Sequence, residues 1–225
     1  MTTSNTYSFN PAFGDFVVNA YAKCGIRRTD LTAQHMSDAV NEANFMMSDW
    51  AGDGINLWQV QRATLDIVAG QISYALPATV VFLLDVYTTN LGSDRIIIPI
   101  SRTDYASLAQ KQQEGQPTSY WFDRTLSPTL YLWPILPQDA VGGLTYYYMQ
   151  QSQDLVAQNG TQLPIPTYFF DAFVWGLAAR LAYMYAPDKV QILQPRADRA
   201  WQRANQVGTE NVPVTMNVAM RSYFG

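Results

Sequence analysis

Cysteine and histidine are almost missing from this chain: among 225 residues there is one of each, Cys24 and His35. A single cysteine excludes an intrachain disulfide and a thiolate zinc cluster, and it fits synthesis in a reducing compartment. His35 has no residues at metal-ligand spacing around it and reads as a surface or helix-packing residue, while Cys24, among apolar neighbours, reads as a small buried hydrophobe. Charge is scarce too, at 14% of residues against a typical ~25%. Much of the surface must then be neutral or apolar, which favours an assembly subunit over a freely diffusing monomer. Lys plus Arg number 14 and Asp plus Glu 18, so the net charge is -4 and the global basic footprint of a nucleic-acid binder is lacking.

Long apolar runs are also absent. Residues 78–84 and 173–179 fall well short of the ~20 needed to span a bilayer, so no membrane segment is expected. The N-terminal MTTSNTYSFNPAFGD has no basic region followed by an apolar core, and no secretory signal is expected. No glycine-rich phosphate loop follows a predicted strand and no Gly-x-Ser-x-Gly elbow occurs, so we expect no catalytic, metal or cofactor site. Asp38 and Glu42, four residues apart, share a helix face, with Asp15, Asp49 and Asp53 as further carboxylates. Acids on an amphipathic helix are usually its solvated side. A glycan hydrolase, which needs two acids ~5 to 9 Å apart, is therefore only an alternative, as is a carbohydrate-binding module using the aromatic residues.

What is present is apolar pattern, with 48% hydrophobic residues, enough for one large or two small domains. Phe13, Phe16, Val17, Ala20, Tyr21 and Cys24 recur at helical spacing, and Gly25 predicts the stop. A second helix follows a Thr32 cap, with Met36, Ala39, Val40, Ala43, Met46, Met47 and Trp50 as its stripe, and the two are expected to form an antiparallel hairpin. From about Thr64 the period changes to two. Strands are predicted over 64–68, 72–76, 80–90, 95–100, 119–122, 129–133 and 144–151, with turns at Gly92-Ser93 and Gly142-Gly143 and a short helix over 104–111. The helical period returns over 167–186, apolar nearly all round and so expected as a buried central helix that Pro187 ends. A last helix over 188–207 carries Pro195, expected to force a kink or restart.

The expected fold class is therefore α+β: a helical bundle built from N- and C-terminal helical hairpins, interrupted by a β-sandwich-like insertion, with an extended C-terminal arm. The expected divisions are 1–62 and 159–207 for the two helical halves, 63–158 for the β-rich insertion and 208–225 for the arm. Three groups stand out as candidate contacts. The hairpin PTSYWFDRTLSPTLYLWP, 117–134, carries large rings on both faces, so Trp121, Tyr131 and Trp133 need cover from the same chain, another subunit or a partner. Arg196, Arg199 and Arg203 fall on one flank of the last helix, as a solvated face or as a docking stripe for an acidic partner. In the arm, Val212, Val214, Met216, Val218, Met220, Tyr223 and Phe224, with Arg221, would be poorly placed in solvent.

Two stretches resemble a known family. LTAQHMSDAVNEANFMMSDWAGDGINLW, 31–58, with Ala39, Met46, Met47, Ser48, Asp49, Trp50 and Gly54 at the pattern positions, is similar to the first helical hairpin of the head-to-tail adaptor proteins, or tail accessory factors, of short-tailed bacteriophages. DAFVWGLAARLAYMYAPDK, 171–189, is similar to the small-and-apolar helix of the second hairpin and its Ala-Pro-Asp end. The resemblance implies a connector ring of about twelve copies, a homo-oligomer closed by rotation. It implies a place at the portal vertex of the virion, the head-tail junction, reached from the host cytoplasm during assembly. Implied partners are the portal protein and a tail nozzle or tail tube protein, with packaged DNA passing through the channel without sequence-specific binding. The segment 208–225 would be the portal-binding arm, and Trp121, Tyr131 and Trp133 a subunit or tail contact. In such a virion the alternatives become a tail-associated cell-wall glycan hydrolase or a carbohydrate-binding tail module.

Overall fold

The computed structural model describes residue 6 and residues 8–52, 57–90, 93–137, 142–157 and 160–208. Helix α1 (Phe13–Cys24) ends where expected. Gly25 takes φ 86°, and the N–H groups of Gly25 and Ile26 close back onto the carbonyls of Ala22 and Tyr21 at 3.0 Å each. That left-handed closure favours glycine; a β-carbon there would also displace the tip of Lys189, 2.2 Å away, whose Nζ donates to the Cys24 carbonyl at 2.9 Å. A cation on the last carbonyls of a helix also opposes its dipole favourably.

Helix α2 (Ala33–Gly52) starts as the Thr32 carbonyl accepts from the Met36 N–H at 3.3 Å, and buries Ala39, Ala43, Met46, Met47 and Trp50. The stripe read from the sequence is its core face. The expected α1–α2 hairpin needs correction. Both helices pack on a later one, α4 (Phe170–Tyr185), and touch each other at a corner where the Tyr21 hydroxyl donates to the His35 carbonyl at 2.7 Å. Pro187 ends α4, and α5 (Val190–Gly208) lies against it. Pro195 sits inside α5, which runs on as one helix instead of restarting. The helix also includes Gly208, the first residue of the expected 208–225 arm, buried against Phe169 and Tyr168; residues 209–225 lie outside the described residues.

All predicted strands form, with ends shifted by up to four residues. They are β1 (Val60–Ile67), β2 (Ser73–Ala75), β3 (Val80–Asn90), β4 (Ser93–Pro99), β5 (Ser119–Asp123), β6 (Thr129–Trp133) and β7 (Gly142–Gln150), with α3 (Arg102–Ser107) between β4 and β5. The order is β1-β7-β3-β4-β5-β6-β2, antiparallel except for the short β4–β5 pairing of Ile98 and Pro99 with Ser119 and Tyr120. Ile67, Tyr74, Val86, Ile97, Tyr120, Leu132 and Leu144, one from each strand, share one apolar cluster. A sheet whose every strand reaches one cluster must curl around it, so the expected sandwich is a single curled sheet. Gly142 and Gly143, expected as a turn, are instead the first residues of β7, paired with Ile67 and Asp66.

The helical cluster draws on both ends of the chain, from Phe13 to Trp50 and from Leu155 to Ala204. Two polar pairs join the crossings between the clusters. Asn44 brackets Leu155, donating to its carbonyl at 3.1 Å and accepting its N–H at 2.8 Å, and Gln59 donates to the Ser152 hydroxyl. An orphaned buried backbone pair costs ~1–3 kcal/mol. Asn44→Ala should therefore destabilise the fold by roughly that amount in urea denaturation, and Asn44→Asp, which keeps only the acceptor, by an intermediate amount.

Tyr120, 3% exposed, has its phenol pushed up to about 12, first by burial and then by Asp85. The folded value lies above the unfolded one, so the contribution is complete below about pH 10 and disappears as pH rises towards 12. Its loss is worth roughly 2 kcal/mol at pH 12. Denaturation midpoints should fall above pH 10, and Tyr120→Phe should fall less steeply; equal slopes would show that this phenol is not coupled to folding.

Candidate interaction surfaces

Strands β5 and β6 alternate as pleated strands must, and Tyr120, Leu130 and Leu132 face the curled core. Trp121, Tyr131 and Trp133 point the other way and are half-buried. Much of their cover comes from the same chain. Ser101 and Asp104 form a reciprocal capping box that starts α3, and α3 lays Tyr105 on the rings, stacked 5.2 Å from Trp121, which is itself stacked 4.7 Å from Tyr131. Trp133 Nε1 donates to the Gln110 carbonyl at 3.0 Å, and Lys111 Nζ donates to the carbonyls of Ala106 and Leu108 at 3.1 and 3.2 Å, holding the segment down. Tyr105→Ala should cost roughly 2–4 kcal/mol and raise tryptophan exposure to a fluorescence quencher, whereas Tyr105→Phe should keep the stack and most of the stability.

Arg196, Arg199 and Arg203 are all exposed on α5. Arg196 lies 5.2 Å from the centre of the Trp175 ring on α4, and Lys23 of α1 lies 3.8 Å from the same ring. Arg199 Nε donates to the Pro195 carbonyl at 3.1 Å. Among the described residues none of these cations forms an ion pair, since the salt bridges there are those of Arg180 with Glu42 and Asp49. The flank is thus basic, with Arg196 held by a ring and Arg199 by a carbonyl.

On another side of α5 lies a groove of about 500 Å³ between α2, α4 and α5 that sequence reasoning missed. Its floor is Ala172, Gly176, Ala179 and Ala197, and its apolar walls are Met46, Trp50 and Trp201, the two indoles stacked at 4.7 Å. Glu42, Asp49 and Asp198 stand around it against Arg180, three carboxylates to one guanidinium. A β-carbon at Gly176 would lie 2.6 Å from Met46 Sδ, so the approach of α2 depends on that glycine. The helix expected over 167–186 as buried and central does pack on α1, α2 and α5, but it is not covered all round: Tyr183 is 63% and Met184 49% exposed beside the groove.

The remaining candidates have structural partners. His35 stacks 4.6 Å from Tyr185 and 5.2 Å from Tyr21, with Nδ1 2.7 Å from the Thr32 hydroxyl. Asp38 accepts from Gln34 and Tyr185, whereas Glu42 pairs with Arg180 at 3.6 Å, so the two acids serve different contacts. Cys24 is buried, its thiol donating to the Ala178 carbonyl at 3.3 Å, and burial pushes its pKa up. Among the described residues no His, Cys, Asp and Glu side chains group to hold a metal, and no helix is long and apolar enough to cross a membrane. Val212, Val214, Met216, Val218, Met220, Arg221, Tyr223 and Phe224 lie outside the described residues.

Comparison with protein families gives a match over residues 13–217 to the family described as SU10 adaptor protein. The match runs through both apolar clusters. Comparison with curated proteins gives none.

Proposed function

The chain belongs to the SU10 adaptor family of phage head-to-tail adaptors, and on that premise we propose that it closes into a ring between portal and tail and extends the DNA channel. Membership itself implies a structural, non-enzymatic component of the virion whose partners are portal and tail proteins. The finer reading is a ring of about twelve copies at the portal vertex, closed by rotation. In it, the helical halves 1–62 and 159–207 act as one domain, 63–158 as a β-rich domain, and 208–225 as an arm that reaches the portal. The ring supports tail attachment and helps to retain the packaged genome.

The observation that carries this reading is the family match across nearly the whole chain, through both the helical and the β cluster. Physical features agree with it. A net charge of -4 suits a conduit, because a lining poor in cations gains little from counterion release and does not hold DNA. The segment 208–225 is rich in Val and Met, apolar side chains that a portal contact would cover. Trp121, Tyr131 and Trp133, half-buried under α3, keep enough exposed ring to meet a neighbouring copy or a tail protein.

Native mass spectrometry of the chain alone and mixed with its portal protein tests the reading. A closed multi-copy assembly that forms with, or best with, portal is expected. Truncation after Gly208 should abolish co-migration with portal while leaving the circular dichroism spectrum and melting temperature unchanged. Unchanged portal binding by the truncated chain would remove the arm assignment, and no complex at any ratio would remove the adaptor ring.

A further inference from the structure

Helix α5 shows three sides. Leu193, Ala197, Ala200 and Ala204 face the core, and Gln194, Asp198 and Trp201 face the groove. The third side carries Ile192, Arg196, Arg199, Arg203 and Val207, spaced by four, three, four and four residues, which is the repeat of one ridge on a helix. Ile192 is 61% and Val207 65% exposed, and the three arginines between them are exposed and have no carboxylate partner among the described residues. At 100° per residue this ridge stands about 170° from the groove side of the same helix.

Resting on the ring reading, the geometry points to the joint between adjacent copies: the α5 ridge of one copy lies in the α2–α4–α5 groove of the next. Three matches carry it. Charge is complementary, since the groove presents Glu42, Asp49 and Asp198 against a single Arg180, and Asp198 is held only by Gln194 at 2.9 Å. Shape is complementary, since the groove of about 500 Å³, open between Glu42 and Asp49 on one side and Gln194, Asp198 and Trp201 on the other, is a trough that a ridge of side chains can enter. Length is complementary, since residues 192–207 and the trough beside residues 172–184 each span roughly 20 Å at 1.5 Å per residue.

Ridge and groove lie on opposite sides of one helix, so the contact is heterologous: each copy offers its ridge to one neighbour and its groove to the other. Repeated with a closing rotation, such a contact builds a ring and not a two-fold dimer. Arginine over the half-buried Trp201 and the exposed Tyr183, beside carboxylates, is also the composition of an interface core, where guanidinium groups lie on rings and meet carboxylates away from water.

Charge exchange tests the joint on the full-length chain, alone and with its portal. One variant carries R196E, R199E and R203E; the other carries D49R and D198R. Each by itself should lose the ring, with mass falling to the single chain. Mixed one to one, the acidic ridge meets the basic groove and the basic ridge meets the acidic groove, so rings of alternating composition should return. A second measurement does not depend on charge. In a D198C/R203C chain the two thiols face apart on one helix, so oxidation should give a ladder of cross-linked multimers and no internal bridge. If both charge variants assemble like the unchanged chain, or the ladder is absent from assembled rings, the joint lies elsewhere and the ring reading stands. If the unchanged chain remains single both alone and with portal, the ring reading fails and the joint with it.

Discussion

The close approach of α2 to α4 at Gly176 sets the helical core. Gly176 has no side chain of its own, so Met46 and Trp50 of α2 pack directly on α4 there and Trp50 stacks on Trp201 of α5. Phe169 lies 5.7 Å from Trp50 and 5.5 Å from Trp201, and these rings tie α2 to the chain beyond the β segment. The core exists only when residues more than a hundred positions apart have met. Closing so long a loop costs entropy before any contact repays it, which makes the pairing of α1 and α2 with α4 a late, cooperative event.

Much of this was legible because two periods differ. Spacing of three and four located α1, α2 and α4, and alternation located every strand, including β5 and β6 with their correct inward residues. What stayed hidden depends on partners that sequence order does not name. The strand order, with β7 between β1 and β3, is one case, and Gly142-Gly143, ladder residues that look like a turn, is another. The α1–α2 hairpin failed for a related reason: a short connection suggests neighbours, but α4 offers both helices a larger apolar face. Pro195 shows a different limit: it lies inside α5, where its missing N–H leaves the Gln191 carbonyl without that partner, yet the packed helix continues past it as one element.

The interaction surfaces divide in the same way. The arginines and the outward rings could be picked from spacing alone, whereas the groove could not, since its walls come from three helices. Small residues have two uses that read identically in one dimension: they allow close packing, or they hollow out a surface. In α4 they do both, with Ala172, Ala178, Ala179 and Ala182 all buried, while the chain around Ala172, Gly176 and Ala179 also floors the groove.

The β portion leaves and rejoins the helices at neighbouring points, where Val60 pairs with Met149 and Gln59 is bonded to Ser152. Its two ends therefore behave as a socket of fixed width. A segment of another size or fold with the same end-to-end span could be substituted there without moving α2 or α4. That makes the insertion an exchangeable cassette: the curled sheet can vary in size or surface while the helical body stays as it is.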